Sequence, residues 1–267
     1  MDHDRYVLSL REESERFLSA LAGVDDDARV PTCDWTVADL VWHLGEVQHF
    51  WARVVAGPGV LDLDAYVDPV RPPDDELRDF AATAGTELLA ALASRRPDDV
   101  TWSWHEDGGT VAWAARRQAH EALVHRVDAE LAAGRPVTPP TAELAADGVD
   151  ELLRYFVHGA PAWGDFAPDG VTVRLEATTT GDAWTLALGR FTGTSPTSGT
   201  HHDLDAAALL AEDDGGVDDL VVRGSGWDLD RWLWGRGDAA ALELVGDPDR
   251  VDALAARLRA LVADATQ

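Results

Sequence analysis

The sequence predicts an α-helical bundle followed by a smaller α+β domain. Residues 1–162 carry apolar residues at helical spacing between recognisable caps and breakers, whereas residues 163–267 contain segments that alternate apolar and polar residues with period two. Between the two patterns lies HGAPAWGDFAPDG, rich in glycine and proline. The expected division is therefore 1–162 and 163–267.

The first helix is expected over residues 4–22, with Tyr6, Leu10, Phe17, Leu18 and Leu21 on its apolar face and Gly23 at its end. A second begins near TVADLVWHLGEVQHFWARVVAG. Thr36 is placed to cap it with Asp39 three residues on, and Gly57 and Pro58 stop it. After a proline- and glycine-rich stretch at 57–74, DELRDFAATAGTELLAALASRR gives a third helix that ends before Pro97. The fourth spans 111–133, closed by Gly134 and Pro136, and a further helical pattern covers 141–158. In the second region VTVRLEATTT, WTLALGR and DLVVRG read as half-buried strands, with helical pieces expected at 203–212 and 226–236. ALELVGD is read as another strand and PDRVDALAARLRALVADA as a closing helix, which together give an α+β domain.

Composition narrows the function. The net charge of −27, from 22 basic and 49 acidic residues, repels nucleic-acid phosphates and anionic membrane surfaces. No run approaches the roughly 20 apolar residues of a membrane-spanning helix, and the charged N-terminus lacks the apolar core of a signal peptide, so a cytoplasmic location is expected. Cys33, the one cysteine, excludes an intramolecular disulfide and a cysteine-rich zinc site. With no cation beside it to stabilise a thiolate, Cys33 is read as a spectator, and thiol chemistry here requires an external thiol.

The chemistry is expected in HEALVHRVDAE, residues 120–130. On a helix Glu121, His125 and Asp128 share one stripe, spread over about 60° at the rim of the apolar face formed by Trp113, Val124, Val127 and Leu131. Glu121 and His125 are then either a surface pair or two metal ligands on consecutive turns. His120 lies roughly 140° from His125, within the apolar stripe, and is read as a core histidine. On the second helix His43 falls in the apolar stripe and faces the bundle interior, as a core histidine or a third ligand, while His49 faces away and is expected to be exposed. Among Arg223, Arg231 and Arg236 near GSGWDLDRWLWGR, a guanidinium is suited to bidentate binding of a substrate carboxylate. Trp232 and Trp234 are read as core residues, and Trp102 and Trp104 either pack or border a cleft.

WTVADLVWHLGEV, TVAWAARRQAHEALVHRVDAE and WLWGR together resemble the mycothiol-dependent maleylpyruvate isomerase family. Its N-terminal half is similar to the DinB-like four-helix metalloproteins. The specific element is D-L-x-x-H-L on one helix combined with R-R-x-x-x-E-x-x-x-H-R-x-D on another, and the resemblance covers nearly the whole chain. It implies a DinB-like bundle in which His43, Glu121 and His125 hold zinc or another divalent metal, with Asp128 behind them accepting from a ligand imidazole or from an arginine such as Arg117. It also implies mycothiol as thiol cosubstrate, a metal-bound thiolate as nucleophile, and isomerisation or conjugation of a small electrophile. Arg236, in the WLWGR match, is the catalytic arginine expected to meet the substrate. Two other readings stand beside this one: a non-catalytic metal-binding or regulatory protein on the same scaffold, and a purely structural bundle without metal.

Overall fold

The computed structural model describes residues 1–57, 61–211 and 216–266, which divide into two compact units, Met1–Pro139 and Pro140–Gln267. In the first unit four helices form the bundle: α1 (His3–Ala20), α2 (Val37–Ala56), α3 (Leu77–Ala93) and α4 (Val111–Ala132). The starts of α1, α2 and α4 follow from side-chain caps. Asp2 accepts from the Arg5 amide at the head of α1, and Thr110 accepts from that of Trp113 at the head of α4. Thr36 and Asp39 form the reciprocal capping box of α2. Gly57 follows α2 as expected, while Pro58 lies outside the described residues. After α4 the chain turns at Gly134, whose φ of +63° disfavours any side chain.

α2 packs chiefly on α3, and α1 on α4. Phe17, Leu21, Leu40, Leu44, Leu77, Ala81 and Ala129 make a common core. Gly45 lets α2 and α3 close: a Cβ there would lie 2.9 Å from the Phe80 ring. The sequence places α4 as an amphipathic helix with a polar rim. In the structure α4 is buried on nearly all sides, including Arg117, Gln118, His120, His125, Arg126, Asp128 and Glu130, because its polar residues point into the unit.

The second unit begins with α5 (Ala142–Leu152), prolonged by a π-helical turn at Leu153–Val157. Then come β1 (Gly164–Ala177), β2 (Ala183–Thr194), β3 (His201–Leu209), β4 (Leu220–Gly224), α6 (Gly226–Leu233), β5 (Glu243–Gly246) and α7 (Val251–Ala265). The sheet order is β3-β2-β1-β4-β5, with β1 and β4 parallel and the other pairs antiparallel. Helices and sheet share one core containing Val149, Leu152, Val173, Leu175, Leu186, Trp232 and Leu258.

Two expectations change. The division falls at Pro139/Pro140 rather than at 162/163, because Val149, Leu152 and Leu153 bury their side chains with the sheet residues instead of joining the bundle. The helix expected over 203–212 is instead strand β3 through Leu209. Its spacing reads as helical, but pairing with β2 from Leu186↔Leu209 to Thr194↔His201 overrides that local preference. The glycine-, serine- and threonine-rich stretch at 192–200 joins these two strands. No described helix is long and apolar enough to cross a membrane.

Candidate metal centre

α2 delivers His43, and consecutive turns of α4 deliver Glu121 and His125. Nε2 of His43 and Nε2 of His125 each lie 3.2 Å from Oε1 of Glu121. One ligand atom from each of the three residues lies within 4.8 Å of the other two. Donor atoms around a tetrahedral zinc ion with bonds of about 2.0–2.1 Å are roughly 3.3 Å apart, and both histidine–glutamate distances match that spacing. Two imidazoles and a carboxylate also form a donor set suited to zinc that leaves one position open.

The flanking groups hold these atoms in place. Arg117 Nη2 donates to Oε2 of Glu121 at 2.7 Å, turning Oε1 toward the histidines. Nδ1 of His125 lies 3.0 Å from Oδ2 of Asp128, and since a carboxylate only accepts, Nδ1 carries the proton and Nε2 is the atom left for an ion. Thr32 donates to the other Asp128 oxygen at 2.6 Å. Beside His43, Glu46 lies 3.8 Å from Nδ1, beyond hydrogen-bonding distance. The Trp35 ring sits 4.8 Å from that of His43 and 6.1 Å from that of His125. Side-chain exposure falls from 28% at His43 through 19% at Glu121 and 10% at His125 to 1% at Asp128, so within its unit the centre opens on the His43 side.

Electrostatics follow from this packing. Burial alone would lower the His125 pKa, but hydrogen bonds to Asp128 and Glu121 outweigh it and raise the value to about 9. Burial would likewise raise that of Glu121, yet bonding to His125 and His43 and the Arg117 charge hold it well below the usual carboxylate range. In the metal-free chain a proton on His125 Nε2 therefore bridges to Glu121 where an ion would sit.

Other expectations sort as follows. His120 is buried, with its ring edge-on to Tyr6 at 6.3 Å. His49 is half-buried rather than exposed, because the Phe80 ring lies 6.0 Å away and Glu87 stands 3.7 Å from Nδ1. Asp128 meets a candidate ligand imidazole, that of His125, as the first of the two expectations for it had it, and Arg117 pairs with Glu121, four residues on. Trp102 packs on Phe50 and Trp51, and the more exposed Trp104 packs on Trp113. Cys33 is half-buried against the bundle core. In the second unit Arg223 pairs with Glu176 at 2.5 Å, and Arg231 with Asp228 at 3.1 Å while lying over the Trp227 ring. Arg236 is half-buried, donates through Nη1 to the Trp234 carbonyl at 2.6 Å and lies 5.9 Å from the Trp234 ring. Trp232 is buried and Trp234 packs against the core. Sequence reasoning missed Thr32 and Trp35: each meets α4 residues about ninety positions away, and no local spacing signals such a contact.

Two family models match, the mycothiol maleylpyruvate isomerase N-terminal domain over residues 7–130 and the MDMPI C-terminal domain over residues 143–253. The chain belongs to the mycothiol maleylpyruvate isomerase family. The boundary between the two matches agrees with the division at Pro139/Pro140. Among solved structures, the chain resembles crystal structures of the mycothiol-dependent maleylpyruvate isomerase and of a histidine-to-alanine mutant of it. Identities are 15% and 14% and TM-scores 0.58 and 0.59, and each match covers 91% of this chain and 93% of the other. At that identity the likeness establishes the fold, a four-helix bundle followed by a smaller α+β domain. No curated protein matches the sequence.

Proposed function

We propose that this member of the maleylpyruvate isomerase family is a mycothiol-dependent enzyme that holds a divalent metal, zinc in the first instance, on His43, Glu121 and His125, and acts on a small electrophile. The observation that carries the reading is the convergence of two Nε2 atoms on one oxygen of Glu121. A zinc ion held by three protein ligands supplies a Lewis-acidic open position that favours the ionised form of a thiol.

The chain's own residues do the rest. Arg117 fixes the carboxylate of Glu121, and Asp128 keeps the His125 proton on Nδ1. The half-buried Cys33 is not needed as a nucleophile, since the cosubstrate brings its own sulfur. In the reaction we assign, that sulfur adds to an activated carbon–carbon double bond and forms a C–S bond. Rotation about the resulting single bond and elimination restore the thiol and leave the double bond in its other geometry. In conjugation the same addition ends with a proton on the neighbouring carbon and the adduct departs. Arg236 is assigned to a substrate carboxylate. With a chain charge of −27, attraction for an anionic substrate has to come from such local guanidinium groups.

The test is metal content by mass spectrometry of chain purified without chelators or an affinity tag, beside His125→Ala prepared identically, followed by thiol-electrophile assays. About one zinc per chain, lost in the variant, and thiol-dependent turnover support the proposal. Metal without turnover across diverse electrophiles supports a non-catalytic metal-binding protein, and no metal even after zinc is supplied overturns the mechanism.

A further inference from the structure

We infer that Thr32 is a positioning residue of the metal centre: its hydroxyl fixes the carboxylate of Asp128, and through it the His125 ring, in the orientation that presents Nε2 beside Glu121 and His43. The inference rests on the metal reading above and adds to it a residue far from α4 in sequence.

Asp128 is 1% exposed, so water cannot complete its hydrogen bonding, and each oxygen has a protein donor. Oδ1 accepts from Thr32 at 2.6 Å, and Oδ2 faces Nδ1 of His125 at 3.0 Å. Carboxylate rotation about the last side-chain bond is soft, and the Thr32 contact on Oδ1 opposes a swing of Oδ2 away from the imidazole. Thr32 is itself held in a closed turn: the Val30 amide donates to the Trp35 carbonyl at 3.0 Å and the Cys33 amide to the Val30 carbonyl at 3.4 Å, with Arg29 bridged to Thr36 outside them. Thr36 continues directly into the capping box of α2. The same turn sets Trp35 against the rings of His43 and His125. One short segment thus orients histidines that stand on different helices, and residues behind metal ligands commonly govern affinity by 10–100-fold.

The experiment is zinc affinity of the full chain by competition with a chromophoric chelator, with the cobalt(II) absorption spectrum as a second readout. Thr32→Val is expected to weaken zinc binding by about tenfold or more and to shift the cobalt bands, whereas Thr32→Ser restores both. Thr32→Ala repeats the measurement in case valine disturbs the turn, and circular dichroism of each metal-free variant checks the fold. In an Asp128→Asn background the added effect of Thr32→Val is expected to shrink to nearly nothing. Wild-type affinity in folded Thr32→Val or Thr32→Ala overturns the inference and leaves the metal reading intact. An equal loss in Thr32→Ser, or a full effect of Thr32→Val without the Asp128 carboxylate, does the same. Absence of zinc binding by the wild-type chain overturns both.

Discussion

α4 carries two inward-facing polar clusters, and their difference separates structure from site. Around Arg126, Nε donates to Glu13 at 2.7 Å, and Nη1 donates to Glu130 at 2.7 Å and to the Thr138 carbonyl at 2.6 Å. Glu130 also accepts from the amide and hydroxyl of Thr138, both at 2.8 Å, and Glu13 from Arg16 at 3.2 Å. This cluster is closed: a permanent cation meets its anions, and it ties α1, α4 and the chain at Thr138 together. Around His125, the preceding residue on α4 and about 100° round the helix, the central contacts run between groups that are all candidate metal ligands, and the proton joining His125 to Glu121 is removable. Burial of charge alone does not mark function. Convergence of exchangeable donors on one point does.

The largest expected effect breaks the closed cluster. Arg126→Met leaves Glu13 and Glu130 buried without their shared cation and is expected to destabilise the metal-free chain by about 3–5 kcal/mol. Chemical denaturation measures it, and a loss below about 1 kcal/mol would contradict the structural role.

The open cluster is expected to respond in the opposite proportion. Glu121→Gln keeps the shape of the side chain but removes the charge that both histidines and Arg117 face, with an expected stability loss of about 1.5–3 kcal/mol without metal. Zinc affinity should fall by at least about a hundredfold, as expected when one of three ligands is lost. Calorimetric titration beside denaturation gives both numbers. A variant that binds zinc as the wild type does would remove the distinction between the clusters.

pH sharpens the contrast further. Zinc must displace the His125 Nε2 proton, so apparent affinity is expected to rise about tenfold per pH unit from pH 7 until it levels near pH 9. In the metal-free chain the folded pKa of His125 lies above its ordinary 6.5. Its stabilising contribution is then fully present below pH 6.5 and lost as pH rises through about 9, by at most about 3 kcal/mol. Glu121 works the other way, keeping its contribution above its ordinary pKa of 4.5 and losing it only under much stronger acid. Thermal unfolding with and without zinc at pH 6 and pH 9 checks the signs, and a metal-free chain equally stable at both would contradict the His125 assignment.

The two clusters were unequally legible in the sequence. Helical period put Glu121 and His125 on one stripe and turned His43 toward the bundle interior as a candidate third ligand, but choosing that role over a core histidine depended on the family resemblance, because nothing local to α2 reports which helix His43 faces. Arg126 carries no local signal: an arginine beside a histidine fits solvated surface until Glu13, 113 residues earlier, is known to meet it. Similarly, the α5 pattern was readable while its packing partner was not, since an apolar face at Val149 and Leu152 fits a bundle or a sheet equally well. Alternation revealed the strands whose two faces differ in burial. It failed at β3, where only Ala207 is buried and pairing at the sheet edge decides the conformation.

The smallest expected effect comes from a third cluster, which resembles the others in composition but lies at the surface. On α2 and α3, Glu87 stands 3.7 Å from His49 and 3.1 Å from Arg53, with half the Arg53 side chain and 40% of that of Glu87 exposed. Water screens these charges and both long side chains lose rotamer freedom when they pair, so Glu87→Gln should change stability by less than about 1 kcal/mol and leave zinc affinity untouched. His49 supplies a more sensitive measure. Burial and the Arg53 charge lower its pKa while Glu87 opposes them, so removing the carboxylate should move that pKa further down, visible by NMR titration of the imidazole. If the pKa moves and neither stability nor zinc binding follows, the three clusters rank by enclosure rather than by charge. A loss of zinc affinity in Glu87→Gln would instead show that the centre depends on fields from exposed groups, and the distinction between open and closed clusters would have to be redrawn.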